Sequence, residues 1–138
     1  MMVRVGTGDD FAKVLDFGLA KVVGDIDEPG SFCGTPSYIA PEIIAEQPYG
    51  LEADVWSLGC LLFSLLFGHS PFHGGSSKKT LQNIERAPLQ FPSAISQEAQ
   101  SLLSGMLDKN QAHRLPIGDV RTHPFFKLPS SPLKHFPK

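Results

Sequence analysis

Few residues of this chain are of a type that could do chemistry unaided, and their spacing narrows them further. His69, His73, His113, His123 and His135 lack the arrangement of a metal-binding set, so no metal site is read from them. Cys60 lies inside an apolar run and Cys33 in a Gly-rich loop; both read as free thiols of a reducing compartment, not as a disulfide framework. Gly6-x-Gly8 has the look of a loop whose bare backbone cradles a phosphate. A lone Gly-x-Gly is a weak signal, and ahead of an alternating strand it reads as a hairpin turn. Asp16-Phe-Gly18 follows directly on the strand, with a long polar loop beyond it.

The elements that must position these residues follow from the pattern. Residues 11–15 alternate loosely and predict a short strand. Residues 19–32 carry Gly24, Asp25, Asp27, Glu28, Pro29 and Gly30 without periodicity; loops this long are usually functional or mobile. Ala40-Pro-Glu42 starts a short helix, because proline suits the first helical turn. The chain is organised around residues 54–68. This run opens on Asp54, whose charge favours a helix N-terminus, and closes on Gly68, with Pro71 beyond as a helix stop. Its apolar residues surround the axis, which predicts a core helix buried on all sides. It is shorter than the ~20 residues a bilayer span needs. A polar helix is expected over 78–87. Ser96 caps an amphipathic helix with Ala99, Leu102, Leu103, Met106 and Leu107 at helical spacing. A last helix covers 117–122, and the proline-rich tail from Leu128 is expected to be poorly ordered.

Composition sets outer bounds. At 138 residues, 41% hydrophobic and 19% charged, the chain is expected to form one globular domain. A formal net charge of −2 gives no global basic footprint for nucleic acid. No charged segment followed by an apolar one begins the chain, so neither secretion nor a membrane partner is expected.

The motifs, taken in order, resemble the C-terminal lobe of a protein kinase. They are Val14-Leu-Asp-Phe-Gly-Leu-Ala20, Cys33-Gly-Thr-Pro-Ser-Tyr-Ile-Ala-Pro-Glu42, Asp54-Val-Trp-Ser-Leu-Gly59, Pro71-Phe72, and Arg114 with His123-Pro-Phe-Phe126. The resemblance covers roughly residues 11–127. Gly-Thr-Pro-x-Tyr before Ala-Pro-Glu is similar to the serine/threonine branch. The wording around Cys33, residues 50–60, and Thr80-Leu81 near Phe91-Pro92 resembles the polo-like family, in particular the subgroup that controls centriole duplication. The implied fold is mainly α: an incomplete kinase C-lobe, with a short β segment before Asp-Phe-Gly and helices packed around one central helix.

The resemblance also implies roles. Asp16 corresponds to the aspartate that ligates Mg²⁺ on the phosphates of ATP, with Phe17 setting its position and Gly18 allowing the bend. Ser31 stands where related polo-like kinases carry an activating phosphosite, at which phosphate could order the loop by pairing with arginines. Thr35 corresponds to the threonine that meets the catalytic aspartate, and Gly34, Thr35, Pro36 and Tyr38 would line the substrate peptide's path. Glu42 and Arg114 match a buried salt bridge. Asp54 matches the carboxylate that holds the catalytic loop from below, with Trp56 beside it.

Parts of a working kinase have no counterpart here. The chain contains no His-Arg-Asp-x-x-x-x-Asn, no complete glycine lid and no phosphate-binding lysine. Gly6-x-Gly8 has the wrong spacing for the kinase lid, and Lys13 lies on the wrong strand. The expectation is therefore a fragment of a cytoplasmic serine/threonine kinase that acts on protein substrates. ATP and Mg²⁺ serve the complete enzyme, and the chain alone is not expected to bind them or to transfer phosphate. Two alternatives stay open: a non-catalytic C-lobe module or decoy that binds substrates or partners, and complementation by a separate N-terminal kinase half. Asp54, without its loop, would be a buried carboxylate lacking partners. This predicts a marginal, aggregation-prone C-lobe, since domain stability is only ~5–15 kcal/mol.

Overall fold

Pro41 and Gly68 punctuate the middle of the chain. The proline sits at the first position of α1 (Pro41–Ile44), where its missing N–H costs nothing. Gly68 ends α2 (Glu52–Phe67) in the left-handed conformation, φ 79°, and its N–H returns to the Ser64 carbonyl. The computed structural model describes residues 2–3, 12–13, 36–92 and 95–127, and the chain divides into two compact units, 1–33 and 34–138.

In the first unit β1 (Met2–Val3) pairs antiparallel with β2 (Ala12–Lys13), Met2 opposite Lys13 and Val3 opposite Ala12. β2 falls within the strand expected over 11–15. The turn at 6–10, Asp16-Phe-Gly18, the loop 19–32 and the tail from Leu128 lie outside the described residues.

The second unit is helical. A 3-10 turn (Pro36–Tyr38) leads into α1, and α2 follows. Then come α3 (Ser77–Arg86), α4 (Gln97–Met106), α5 (Ile117–Thr122) and a 3-10 turn at Pro124–Lys127. Serine caps set two of these starts. Ser96 Oγ accepts from the Ala99 N–H at 3.1 Å, and Ser76 Oγ accepts from the Lys79 N–H at 3.2 Å. The second cap is why α3 begins at Ser77, one residue earlier than the pattern of polar residues indicated.

Two apolar clusters flank α2. On one side Trp56, Cys60 and Phe63 pack with Ala40, Phe72, Ile84, Leu103 and Leu107. On the other, Val55 meets Leu102, Met106 and Val120. Gly59 faces α4 closely: a Cβ there would lie 3.0 Å from Met106 Cβ and from Leu107 Cδ2. Burial on every side does not hold. Leu65 is 70% exposed, Leu66 42% and Leu58 39%. Among the described residues, the later helices cover two sides of α2 and leave the third in water. No helix described is long and apolar enough to cross a membrane.

The contact at Gly59 yields an expectation. Gly59→Val places a branched side chain against Met106 and Leu107. It should destabilise the chain by ~1–3 kcal/mol, the usual cost of overpacking, read as a lower urea midpoint at unchanged m-value.

Candidate functional site

The described part of the motif set converges on the segment from the first 3-10 turn to α1. Proline and small residues favour a tight course here, and two clamps fix it. Ser57 Oγ, on α2, donates to the Tyr38 carbonyl at 2.9 Å and to the Ala53 carbonyl at 3.2 Å. Tyr38 is half-buried against the first core cluster, and Ala40 is fully buried at the N-cap of α1.

The second clamp is Arg114. Its Nη1 donates to Glu42 Oε1 at 2.6 Å and its Nη2 to Glu42 Oε2 at 2.8 Å, a bidentate pair. Both side chains are almost wholly removed from water, at 0% and 2% exposure. Nη1 also donates to the Glu52 carbonyl at 2.8 Å and Nε to the Asp108 carbonyl at 3.0 Å. One guanidinium thus joins α1, the first turn of α2 and the loop after α4. The guanidinium carbon lies 5.2 Å from the centre of the Trp56 ring. Trp56 is fully buried and stacks on Phe72, with centroids 5.4 Å apart and planes 7° from parallel.

Lys109 is a second cation in this layer. Its Nζ donates to the Asn83 carbonyl at 3.1 Å and to the Ile84 carbonyl, at the end of α3. It also lies 4.2 Å from the centre of the Phe72 ring. Partial burial pulls its pKa down to about 8, against opposing pulls from Cys60 and Glu85. Burial pushes the Cys60 thiol up to about 12, with Arg114 and Lys109 drawing it back.

The structure places the other candidates less uniformly. Asp54 is exposed on the first turn of α2, so the buried, partnerless carboxylate expected there does not arise. Among the described residues no element covers that side of the helix. Asp16, Phe17, Gly18, Ser31, Gly34 and Thr35 lie outside the described residues, and for Pro36 the backbone alone is described. No group of three or more His, Cys, Asp or Glu residues is gathered among the described residues. Sequence reasoning missed Ser57 and Lys109. Ser57 is a polar residue inside an apolar run, and its partner is 19 residues away. Nothing in the sequence around Lys109 marks it for this position.

What the arrangement can do is hold residues 38–42 as a rigid ledge on the helical unit.

Comparison with known proteins identifies the family. The family model described as the protein kinase domain matches residues 2–126. The chain is 44% identical over 120 residues to serine/threonine-protein kinase PLK4 of Nematostella vectensis, covering 86% of this chain and 12% of that protein. PLK4 of Xenopus laevis is 45% identical over 114 residues, 82% of this chain and 12% of its own length. A putative ribosomal protein S6 kinase alpha-1 of Caenorhabditis elegans is 42% identical over 124 residues, 86% of this chain and 16% of that protein. The chain thus spans only a small part of the curated relatives it matches.

Two outcomes follow from the clamp. Glu42→Gln or Arg114→Met leaves the opposite charge buried without its partner. Each should cost ~3–5 kcal/mol, while the joint Glu42→Leu/Arg114→Met change should recover part of that loss in urea titrations. Lys109 gives a pH dependence. Between about 8 and the ordinary lysine value of 10.5 the unfolded chain binds more protons at this residue, so stability should rise with pH. Cys60 acts oppositely between 9.0 and about 12, where the folded chain keeps its proton. Stability should therefore climb from pH 8 to 9 and flatten above, and Lys109→Met should remove the climb, as read from urea midpoints across that range.

Proposed function

The chain belongs to the protein kinase domain family, and from that premise we propose that it supplies the activation segment and C-lobe of a serine/threonine kinase. The whole protein would transfer the γ-phosphoryl group of ATP to hydroxyls of protein substrates. The observation that carries this reading is the ledge at 38–42, tied to α2 and to Arg114 directly after the Gly34-Thr-Pro36 segment. Phosphoryl transfer depends mainly on positioning and charge stabilisation, and a substrate chain needs such a fixed floor.

In this reading Gly34, Thr35, Pro36 and Tyr38 guide the substrate backbone. Asp16 would hold Mg²⁺, with Phe17 and Gly18 fixing its approach; the ion, when bound, neutralises charge on the β- and γ-phosphates. Ser31 would be a site of activating phosphorylation, whose charge orders the loop through arginines. The similarity to PLK4 proteins supports placement in the polo-like family, and with it a cytoplasmic protein associated with centrioles.

The 138 residues contain no His-Arg-Asp-x-x-x-x-Asn and no glycine lid. By themselves they lack the group that accepts the hydroxyl proton and the cradle for the nucleotide, so phosphoryl transfer by this chain alone is not expected. A second reading, a non-catalytic module that binds protein partners, is favoured by the cationic outer face of α3, with Lys79 and Arg86.

The test joins this chain to the preceding part of the Xenopus laevis PLK4 kinase domain and measures transfer of labelled phosphate to casein. The fusion should be active and the 138-residue chain silent. Asp16→Asn in the fusion should lower the rate by ~10²–10³-fold, as removal of a key charge-stabilising group does. An inactive but well-folded fusion would count against the reading, as would full activity of the Asp16→Asn form.

A further inference from the structure

The outer side of α3 carries a shallow recess of about 330 Å³ lined by Lys79, Gln82, Asn83, Arg86 and Ala87. Positions 79, 82, 83 and 86 form one stripe of the helix. Asn83 is braced from behind, its Nδ2 donating to the Phe72 carbonyl at 3.3 Å and to the His73 carbonyl at 3.4 Å. Lys109 bonds the carbonyls of Asn83 and Ile84 from the other side. The floor of the recess is therefore fixed by the core, while Lys79, Gln82 and Arg86 are exposed.

Charge here runs against the rest of the molecule. Lys78, Lys79, Arg86 and Lys109 gather around α3 with Glu85 as the one acid of the helix, in a chain whose formal net charge is −2. Spacing adds selectivity. Lys79 and Arg86 stand seven positions apart, about 10.5 Å along an α-helix at 1.5 Å per residue. An extended polyproline-type segment returns to the same face every third residue, about 9.3 Å. Its acidic side chains three apart would meet both cations at once, with Gln82 between them to bond its backbone.

We propose that the Lys79–Arg86 face of α3 is a docking surface for an extended acidic peptide segment with carboxylates every third residue. It needs neither nucleotide nor phosphoryl transfer, so its failure would leave the kinase reading intact, and an inactive kinase fusion would leave it intact in turn.

The test uses the 138-residue chain and a labelled peptide repeating Glu-Pro-Pro, followed by fluorescence anisotropy at low salt. Saturable binding is expected. Lys79→Gln/Arg86→Gln should weaken it about tenfold, in keeping with two modest exposed ion pairs, and added salt should weaken it further. Lys78→Gln removes one positive charge from a position off the stripe and should change binding less than about twofold. All three substituted positions are exposed, and an unchanged helical circular dichroism signal verifies folding. The proposal is overturned if a Gln-Pro-Pro peptide binds as well or if binding does not saturate. It is equally overturned if Lys78→Gln and Lys79→Gln weaken binding alike, or if a single-stranded oligonucleotide binds more tightly than the acidic peptide.

Discussion

A guanidinium removed from water is tolerated only where its N–H groups find acceptors, because arginine does not shed its charge. Arg114 meets that condition with four hydrogen bonds, two to the Glu42 carboxylate and one each to the carbonyls of Glu52 and Asp108. The other elements of the helical unit are arranged so that these acceptors converge. α1 exists as a single turn largely to present Glu42, and α2 must begin where its first carbonyl faces the guanidinium. The loop after α4 must fold back to bring Arg114 in. The pair is better understood as a device for fixing geometry than as a source of net stability, since desolvating two charges offsets much of their attraction.

From that fixed point α2 distributes its surface unequally. Trp56, Cys60 and Phe63 take the aromatic side, stacked on Phe72 and closed by α3 and α4. Val55 takes the side toward α4 and α5. Leu51, Leu58 and Leu65 stand seven residues apart along the solvated side, with Asp54 among them. The presence of Asp54 on that same side explains how one helix carries both an exposed carboxylate and uncovered leucines.

Much of the helical unit was legible in the sequence because its signals are local. Pro41, Gly68 and Ser96 mark boundaries through backbone rules that need no tertiary partner, and the spacing from Ala99 to Leu107 announces its buried face. The clamps were less legible. Glu42 and Arg114 were paired by resemblance to a family, since nothing in their own neighbourhoods links residues 72 positions apart. An all-round apolar pattern states what a helix can bury and not what is there to cover it, and among the described residues one side of α2 stays exposed. The exposure of Asp54 follows from the same gap. Lys109 escaped because a lysine gives no sign, before the fold is known, that its ammonium will sit over Phe72.

The separation of Glu42 from Arg114 also sets an order of assembly on the ribosome. Synthesis at ~5–20 residues per second puts roughly 4–14 s between the two residues. During that interval α1 and α2 have emerged, yet the cation that locks them has not. The cover from α4 and α5 is likewise still to be made. The nascent chain must hold Glu42 in water and keep the sides of α2 from pairing with something else. The last third of the sequence thus acts as a timed closure, and any pause in translation ahead of Arg114 lengthens the period in which the earlier helices stand unlocked.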